Sequence, residues 1–559
     1  MRGPRLVFLG LLTALLIGCT SIPSSGPVNS TARTTGADTS DVDFLPPGPS
    51  TGATPEDIVA GFIAAGTAAQ DNYRVARSYL ADDVREEWNP NASVLIRRGE
   101  PLITIVSNTV ARYVVPVISS VDELGRFSTS TAVSSQTLDF RLILEDDEWR
   151  IIGLSDGIVL TEAAFAEAFA SYRLYYFSAG YRELVPDVRW FATRGEVSSK
   201  IVRGLLAEPT FWLDQGSTVS AFPEGTQLAL TPIPVVDGVA SVDLTTRVLS
   251  ADEITRSRML TQLSASLAQV QGISSARLSV NQNELVISPL GEEGPSLSSG
   301  RDPRSVVLRD RRFGYVQAGR VQEIEGLSQA MASLIPQKIF YSAKYDRALA
   351  TRSDGLWSLE PGREPVIIDS RTDLVRGIID NCGFVWSSSR ESSPDMAQII
   401  TPQGEVFPFP LSIGGGSTLV SFELARDDTR LLALTQTETG ARILLTAITR
   451  DDDCQPVSLG EFVELGPVAG AAVDAAWIDD SRIAVVVKED SSGQGEVLVF
   501  DVSGQSSSLG RPLRPVTLVG GIGGISGLRL LAEDGLIYQP RGNGWQSTGD
   551  RASVLATQR

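Results

Sequence analysis

The sequence predicts a multidomain protein with an α+β domain, a small α/β domain and a C-terminal all-β propeller. Its 559 residues are enough for about three or four domains. A helical stretch followed by strands occupies the first part, and a strand–helix–strand pattern comes next. The last stretch, about 250 residues, has short strands and frequent Gly, Asp and Ser turns with almost no helical periodicity.

The first element is an apolar segment that ends at a cysteine. Two arginines precede an apolar run of about a dozen residues, Leu6 to Ile17. Such a run is too short to span a bilayer, which takes roughly 20 residues, but it suits a secretory signal peptide. Leu16-Ile17-Gly18-Cys19 resembles the lipobox of bacterial lipoproteins, whose cysteine is acylated and becomes the N-terminus. We predict a signal peptide over residues 1–18 and lipidation of Cys19; the alternative is a general signal peptide followed by an unrelated cysteine.

Residues 19–52 are predicted to be a flexible tether. They are rich in Ser, Thr, Gly and Pro and poor in aromatic residues. A segment of this composition buries too little apolar surface to offset its chain entropy. The tether would hold the folded part of the protein away from the membrane.

The α+β domain is predicted over residues 53–181. Apolar residues share one face of a helical stretch from Pro55 to Leu80, and three strand-rich segments follow it. Helices first and then a strand meander resembles the NTF2-like α+β cone fold. We interpret Trp88 and Trp149 as core residues; a ligand pocket inside the cone is the alternative.

The small α/β domain is predicted over residues 182–290. Ser250-Ala251-Asp252-Glu253 has the pattern of a capping box at a helix start, and Gly272 stands at the expected helix end. The phrase AFPEGT, followed by DGVASVDLT and a long helix, resembles the GerMN domain of bacterial cell-envelope and sporulation proteins. Residues 291–304 have the composition of a linker.

The propeller is predicted over residues 305–559. Aligning Asp427-Asp428 with Asp479-Asp480 places Arg430 and Arg482 in register, which indicates an internal repeat. Strand clusters recur about every 40 to 50 residues, the spacing of propeller blades. Two tandem β-sandwiches are the alternative.

Composition excludes several functional classes. The chain has no histidine, which removes Ser-His-Asp and Cys-His nucleophile pairs and every His-ligated zinc site. Its net charge is −19, or −21 without the two arginines of the signal peptide, so nucleic acid would be repelled. All but four of the 48 basic residues are arginines, which suggests a GC-rich genome such as that of an actinobacterium.

The acidic clusters offer only a weak case for an enzyme. Paired carboxylates would suffice for a glycoside hydrolase, and the candidates are Asp427-Asp428, Asp451 to Asp453 and Asp479-Asp480. Each cluster stands at a predicted turn, where Asp is favoured by local hydrogen bonding, so we interpret them as solvated turns. We predict no catalytic residue, no cofactor and no metal site; a carboxylate-dependent propeller hydrolase is the least favoured alternative.

Two cysteines remain besides Cys19. Cys382 and Cys454 lie 72 positions apart, and thiols outside the membrane tend to oxidise. We predict a disulfide that brings neighbouring blades together; two buried thiols are the alternative.

The order of these elements in an Arg-rich chain resembles the LpqB family of actinobacterial lipoproteins. The resemblance implies a protein anchored by acyl chains such as palmitate on the extracytoplasmic face of the cell membrane. It implies a sensor histidine kinase ectodomain (MtrB-like) as partner, and an accessory role in a two-component system linked to envelope homeostasis and division. Only Cys19 carries over as a defined functional residue. The runner-up function is a lipoprotein that binds an envelope ligand.

Overall fold

A computed structural model of the chain describes residues 46–69, 71–291, 294–295, 302–390, 397–489 and 493–559. The predicted signal peptide, Cys19 and most of the predicted tether lie outside these residues. Pro46–Arg559 form one unit by their packing contacts, and three domains follow one another within it.

The first domain packs helices against one mixed sheet. Its elements are α1 (Pro55–Ala65), α2 (Arg74–Arg77), α3 (Asp82–Arg85), β1 (Ser93–Arg97), β2 (Leu102–Ser107), β3 (Val110–Asp122), β4 (Phe127–Glu145), β5 (Glu148–Gly153), β6 (Ile158–Thr161) and α4 (Glu162–Ala168). The sheet order is β5-β4-β3-β1-β6, and β2 pairs with the other half of β3. The buried face of α1 lies on this sheet, so the predicted α+β class is confirmed.

Helix α1 begins with a complete capping box. The Thr54 hydroxyl accepts a hydrogen bond from the Asp57 amide (3.3 Å), and the Asp57 carboxylate accepts one from the Thr54 amide (3.0 Å). The helix ends at Ala65, earlier than the predicted helical stretch. The interruption follows from Asp71 to Tyr73, whose positive φ angles are incompatible with a right-handed helix.

The second domain is a small α/β unit built on a long hairpin. Its elements are β7 (Phe169–Ser178), β8 (Leu184–Ala192), α5 (Val197–Leu206), β9 (Thr218–Val219), β10 (Val235–Val236), β11 (Val239–Leu244), a 3-10 helix (Thr246–Ser250), α6 (Glu253–Leu267), β12 (Ser275–Val280) and β13 (Asn283–Glu284). Strands β11 and β12 are parallel, and α6 connects them. Strand β7 packs its apolar side chains into the same core as α6. The predicted domain limit after residue 181 falls in the turn of the β7–β8 hairpin, whereas β7 belongs to the second domain by its packing.

Helix α6 starts two residues later than the capping-box pattern indicates. Asp252 is the N-cap, and its carboxylate accepts a hydrogen bond from the Thr255 amide (2.8 Å). Ser250 belongs to the preceding 3-10 helix, where its hydroxyl donates to the Arg247 carbonyl (2.8 Å). Ser and Asp are both favoured at N-cap positions. Because Ser250 is already part of the 3-10 helix, Asp252 is the N-cap of α6.

The third domain consists almost entirely of strands, together with α7 (Ser328–Leu334) and a short 3-10 helix (Gly524–Gly527). Its strands are β14 (Val306–Arg309), β15 (Arg312–Gln317), β16 (Arg320–Glu323), β17 (Lys338–Ser342), β18 (Arg347–Arg352), β19 (Gly355–Leu359), β20 (Val366–Asp369), β21 (Leu374–Ile379), β22 (Val385–Ser389), β23 (Ala397–Ile400), β24 (Val406–Phe409), β25 (Thr418–Leu424), β26 (Arg430–Thr437), β27 (Gly440–Arg450), β28 (Pro456–Leu459), β29 (Val463–Val468), β30 (Ala471–Trp477), β31 (Arg482–Lys488), β32 (Gly495–Asp501), β33 (Ser506–Ser508), β34 (Pro515–Val519), β35 (Arg529–Ala532), β36 (Leu536–Arg541), β37 (Gly544–Arg551) and β38 (Val554–Gln558).

These strands form a propeller of six blades within the described residues. Five blades start at β17, β21, β25, β30 and β34, and the sixth combines β38 with β14, β15 and β16. The inner strands β17, β21, β25, β30, β34 and β38 are neighbours in that order, and β38 pairs with β17. Because β38 also pairs antiparallel with β14, the last strand closes the ring against the first. The predicted propeller is confirmed, and the tandem-sandwich alternative is wrong.

Candidate functional site

The sequence-predicted site residues lie in different places. Cys19 is outside the described residues. Cys382 lies in the turn between β21 and β22, and Cys454 lies in the turn between β27 and β28 of the next blade. The structure joins these two cysteines by a disulfide with a Cα–Cα distance of 6.3 Å, which ties neighbouring blades together at one face of the propeller.

The second domain docks on this same face through its hairpin. Asp480, in the turn after β30, accepts hydrogen bonds from the Tyr175 hydroxyl (2.7 Å) and the Arg173 guanidinium (3.0 Å) of β7. At the hairpin tip, the Arg182 guanidinium donates to the Asp452 carbonyl (2.5 Å) and lies 3.9 Å from Cys382 Sγ. The disulfide therefore lies directly under the docked hairpin.

The prediction that the acidic clusters are solvated turns is wrong for Asp427 and Asp428. Both are buried at the docking face. Asp427 forms an ion pair with Arg430 (2.5 Å), and Asp479 forms the equivalent pair with Arg482 (2.6 Å) in the next blade. The predicted repeat is confirmed for these two blades, since in both the first Asp pairs with the Arg three residues later. The second Asp contacts neighbouring elements instead: Asp428 pairs with Arg559, and Asp480 with Arg173.

Glu183 adds a further carboxylate to this buried acidic face. Burial, followed by repulsion from Asp428 and Asp427, raises the pKa of Glu183 to about 7. The Arg559 and Lys344 side chains partly counteract this effect. At mildly acidic pH the Glu183 carboxyl is thus protonated and uncharged, so Asp427 and Asp428 do not repel it.

Docking of the hairpin is expected to weaken as pH rises from about 4.5 to about 7. The contribution of a carboxyl group whose folded-state pKa is raised is fully present below its ordinary pKa of 4.5 and is lost as pH rises through about 7. Hydrogen exchange at the hairpin tip, corrected for the intrinsic pH dependence, should accelerate by at most about tenfold per pH unit. Glu183→Gln should remove this dependence, and Glu423→Gln, a control at the propeller axis, should leave it in place.

Each inner strand of the propeller contributes a side chain to a polar network on the axis. The members are Lys338 of β17, Arg376 of β21, Ser421 and Glu423 of β25, Asp474 of β30, Thr517 of β34 and Thr557 of β38. All except Lys338 and Thr557 are buried. The network therefore connects all six blades at the centre of the ring.

Asp474 is the centre of this network. Arg376 donates to Asp474 (3.0 Å) and to Glu423 (2.5 Å), and Lys338 Nζ lies 3.4 Å from Asp474 Oδ2. Burial opposes ionisation of Asp474, but Lys338 and Arg376 lower its pKa from the ordinary value. Burial raises the pKa of Glu423 to about 7, against the attraction of Arg376. Asp474 is thus the ionised carboxylate that compensates the buried Arg376 and the partly buried Lys338.

A buried arginine of the second domain binds a backbone carbonyl of the first domain. Arg189 and Asp187 of β8 are paired at 2.6 Å and almost fully buried. The Arg189 guanidinium also donates to the carbonyls of Leu124 (3.2 Å), in the first domain, and Glu208 (3.2 Å). Since removing one partner would leave a buried charge uncompensated, this joint holds the two domains in a defined orientation.

All three domains meet around a cleft of about 200 Å³. Its walls come from the start of β4, from residues 187–188 and 210–212 of the second domain, and from β29 and residues 502–504 of the propeller. Trp190 Nε1 donates to the Ser503 hydroxyl (2.9 Å) beside it. Ligand sites occur preferentially at such domain junctions, so this cleft is a candidate binding site.

The cone of the first domain offers less room. Its cavity, lined by Phe62, Trp88 and Phe140 among others, has a volume of about 30 Å³. One water needs about 10–15 Å³, so the cavity is the size of a small water site. Trp88 is buried and packs edge-on against Phe62 with ring centroids 5.1 Å apart, and Trp149 lies partly buried against the same core. Their predicted role in core packing is confirmed.

Sequence reasoning missed the axial network and the two domain joints. The signal for the network was a charged residue inside an apolar strand, such as Arg376 in LVRGII or Asp474 in AAVDAAW. Strand periodicity alone does not tell a buried charge from one that faces solvent.

Within the described ranges, no group of three or more Cys, Asp or Glu side chains could hold a metal ion. Nor does any helix in this part of the chain have the length and apolar character needed to cross a membrane.

Family comparisons cover nearly all of the described chain. Residues 48–166 match the family model "Lipoprotein LpqB, N-terminal domain", and residues 312–554 match "Lipoprotein LpqB beta-propeller domain". Residues 173–286 match "Sporulation and spore germination". These ranges correspond to the three domains of the fold.

Similar proteins occur in several actinobacteria. Lipoprotein LpqB of Cutibacterium acnes is 28% identical over 537 residues, which cover 88% of each chain. Lipoprotein LpqB of Thermobifida fusca is 24% identical over 582 residues, or 89% of this chain and 90% of that one. Among solved structures, the first GerMN domain of the sporulation protein GerM from Bacillus subtilis is 16% identical, covers 23% of this chain and 94% of its own, and has a TM-score of 0.19.

Proposed function

The chain belongs to the LpqB lipoprotein family, and on that premise we propose that it is a lipid-anchored accessory protein of a two-component system. It is anchored through Cys19 on the extracytoplasmic face of the cell membrane. It binds the ectodomain of a sensor histidine kinase (MtrB-like) and modulates signalling linked to envelope homeostasis and division.

The observation that carries this proposal is the rigid connection of three domains. Arg189 of the second domain donates to the Leu124 carbonyl of the first (3.2 Å), and the β7–β8 hairpin is docked on the propeller through Asp480. A composite body of this kind presents one large preformed surface, which suits recognition of another protein. Among the candidate aspartates of a propeller hydrolase, Asp427 and Asp479 are each held in an ion pair, by Arg430 and Arg482, which disfavours these two as catalytic carboxylates.

The tether makes weak intrinsic affinity sufficient. Anchoring both partners in one membrane confines them to a thin layer and raises their effective concentration. A micromolar contact, about −8 kcal/mol, would then keep the complex populated.

The proposed function is tested by chemical crosslinking in intact cells. The anchored protein should crosslink to the sensor kinase, and a non-lipidated form at the same level should do so much less. Absence of any kinase crosslink from the anchored protein, together with hydrolytic activity on an envelope polymer, would contradict the proposal and favour an enzyme.

Cys19→Ala is expected to release the protein from the membrane completely. Acyl chains on Cys19 would supply about 0.8 kcal/mol for each buried methylene, and the substitution removes their attachment point. Membrane fractionation after a carbonate wash measures retention. Gly18→Ala, which keeps a small residue before the cysteine, is the matched control and should stay in the membrane fraction. Retention of the Cys19→Ala variant would show that another segment anchors the chain.

A further inference from the structure

We propose that the contact with the kinase is centred on the three-domain cleft, with Phe211 at its lip as the anchoring side chain. The occupant of the cleft is an apolar side chain of the kinase ectodomain that has a carboxylate next to it. This inference rests on the proposed function and names the surface that performs it.

Phe211 is displayed by a firmly held backbone. On one side, the Thr210 hydroxyl and amide both donate to the Asp187 carboxylate (2.7 and 2.8 Å). On the other side, Trp212 and Leu213 are buried in an apolar cluster shared with the propeller. Phe211 itself is 61% exposed. Because the backbone around Phe211 is already ordered, binding has to order only the Phe211 side chain itself. Aromatic side chains, Phe included, are enriched in protein interfaces.

The cleft beside Phe211 is suited to receive a side chain. Apolar side chains of Val188, Leu465 and Val502 line it, and the hydroxyl-bearing residues Ser128 and Thr129 also face it. Its volume of about 200 Å³ exceeds a cavity of about 150 Å³ that admits benzene. An apolar interior with hydroxyls nearby matches the anatomy of a protein interface, whose core is apolar and whose rim is polar.

Three charged side chains line the cleft, and two of them, Asp187 and Glu464, are already paired with Arg189 (2.6 Å) and Arg442 (2.7 Å). Arg126 is therefore the charge that the cleft offers to an occupant. Its guanidinium lines the cleft and donates to the Glu208 carbonyl (2.9 Å), whereas Nε is buried without a hydrogen-bond partner among the described residues. The Arg126 Nη1 and Asp122 Oδ2 atoms are 3.9 Å apart, which is too far for a hydrogen bond. A cationic group at this position favours a carboxylate on the partner, since charge-assisted hydrogen bonds to guanidinium are strong.

Two other exposed apolar sites serve as comparisons. Leu102 on the edge strand β2 is 63% exposed, and Val406 on the outer blade strand β24 is 50% exposed. Neither residue lines the junction cleft. Their exposure is comparable to that of Phe211 (61%), but they lie on strands away from the cleft. A kinase contact at the cleft should therefore involve Phe211 and neither of these two residues.

Site-specific photocrosslinking in intact cells tests the proposal. The photoreactive residue benzoylphenylalanine replaces Phe211, Leu102 or Val406, one at a time, in the full-length anchored protein. We expect a kinase crosslink from position 211 that is several-fold stronger than from positions 102 and 406. Crosslinks from 102 or 406 without one from 211 would overturn the cleft proposal and leave the proposed function intact. No kinase crosslink from any of the three positions, with none from the chemical crosslinking above, would overturn both.

Affinity measurements give a second readout. Full-length protein in detergent is titrated with the purified kinase ectodomain, and Phe211→Ala should weaken binding by at least about tenfold, as for interface hot spots. Val406→Ala should leave the affinity unchanged. Both variants should keep the melting temperature of the parent protein because each side chain is exposed. Unchanged affinity of Phe211→Ala would overturn the proposal.

Discussion

Replacing Asp474 by alanine is expected to lower the free energy of unfolding of the propeller by about 3–5 kcal/mol. The Asp474 carboxylate accepts hydrogen bonds from the Arg376 guanidinium (3.0 Å), the Ser421 hydroxyl (2.7 Å) and the Leu518 amide (3.1 Å). Removal of this carboxylate leaves the positive charges of Arg376 and Lys338 with less negative charge nearby to compensate them. Because the lowered pKa of Asp474 keeps it ionised at neutral pH, the full loss of unfolding free energy should be measurable at neutral pH.

Denaturant unfolding followed by tryptophan fluorescence measures this loss. Asp453→Ala, at an exposed turn of the same domain, is the matched control and should stay within about 0.5 kcal/mol of the parent. Glu423→Gln should cost less than Asp474→Ala, since Glu423 has a pKa of about 7 and is partly protonated at neutral pH. Equal stability of Asp474→Ala and Asp453→Ala would show that the axial network does not hold the blades together.

The second large loss is expected when the disulfide is removed. In the chain-entropy model, a cross-link that closes a loop of 72 residues stabilises by about 4 kcal/mol. The Cys382→Ser and Cys454→Ser double variant should lose roughly this amount. It should also exchange amide hydrogens faster at the hairpin tip, because the Arg182 side chain lies against Cys382.

The reduced parent protein is the control for that variant. With a phosphine reductant present, its stability should fall to that of the double variant, and the double variant should not respond to reductant. Mass spectrometry of non-reduced peptides reports the bond itself. Free alkylated thiols at both positions in protein isolated from its own membranes would contradict the disulfide.

Features that depend on local chemistry could be predicted from the sequence. The paired turns at Asp427 and Asp479 align because each Asp binds an Arg three residues later, so both partners lie within one short motif. The strand pattern of each blade and the capping pattern before α6 likewise depend on residues that are close together in the sequence. This locality is why domain order and fold class were accessible without a structure.

The polar network on the propeller axis and the three-domain cleft could not be predicted from the sequence, because the residues that form each of them are distant in the chain. Lys338 and Asp474 are 136 positions apart, and only closure of the ring brings them together. In the segment TFWLD all three apolar residues look like core residues, whereas the structure buries Trp212 and Leu213 and exposes Phe211. Which of them faces solvent depends on how the second domain meets the propeller.

Pairing of β38 with β14 has a consequence for how the protein is made. Residues 554–556 complete a blade that begins at residues 306–308, so the ring stays open until nearly 250 intervening residues have been synthesised. The first two domains, whose sheets pair over shorter separations, can acquire structure earlier. Until β38 arrives, β14 and β17 present unpaired edges, which are templates for wrong association. We therefore expect the protein to be most prone to wrong association in the interval between the synthesis of residue 306 and that of residue 558.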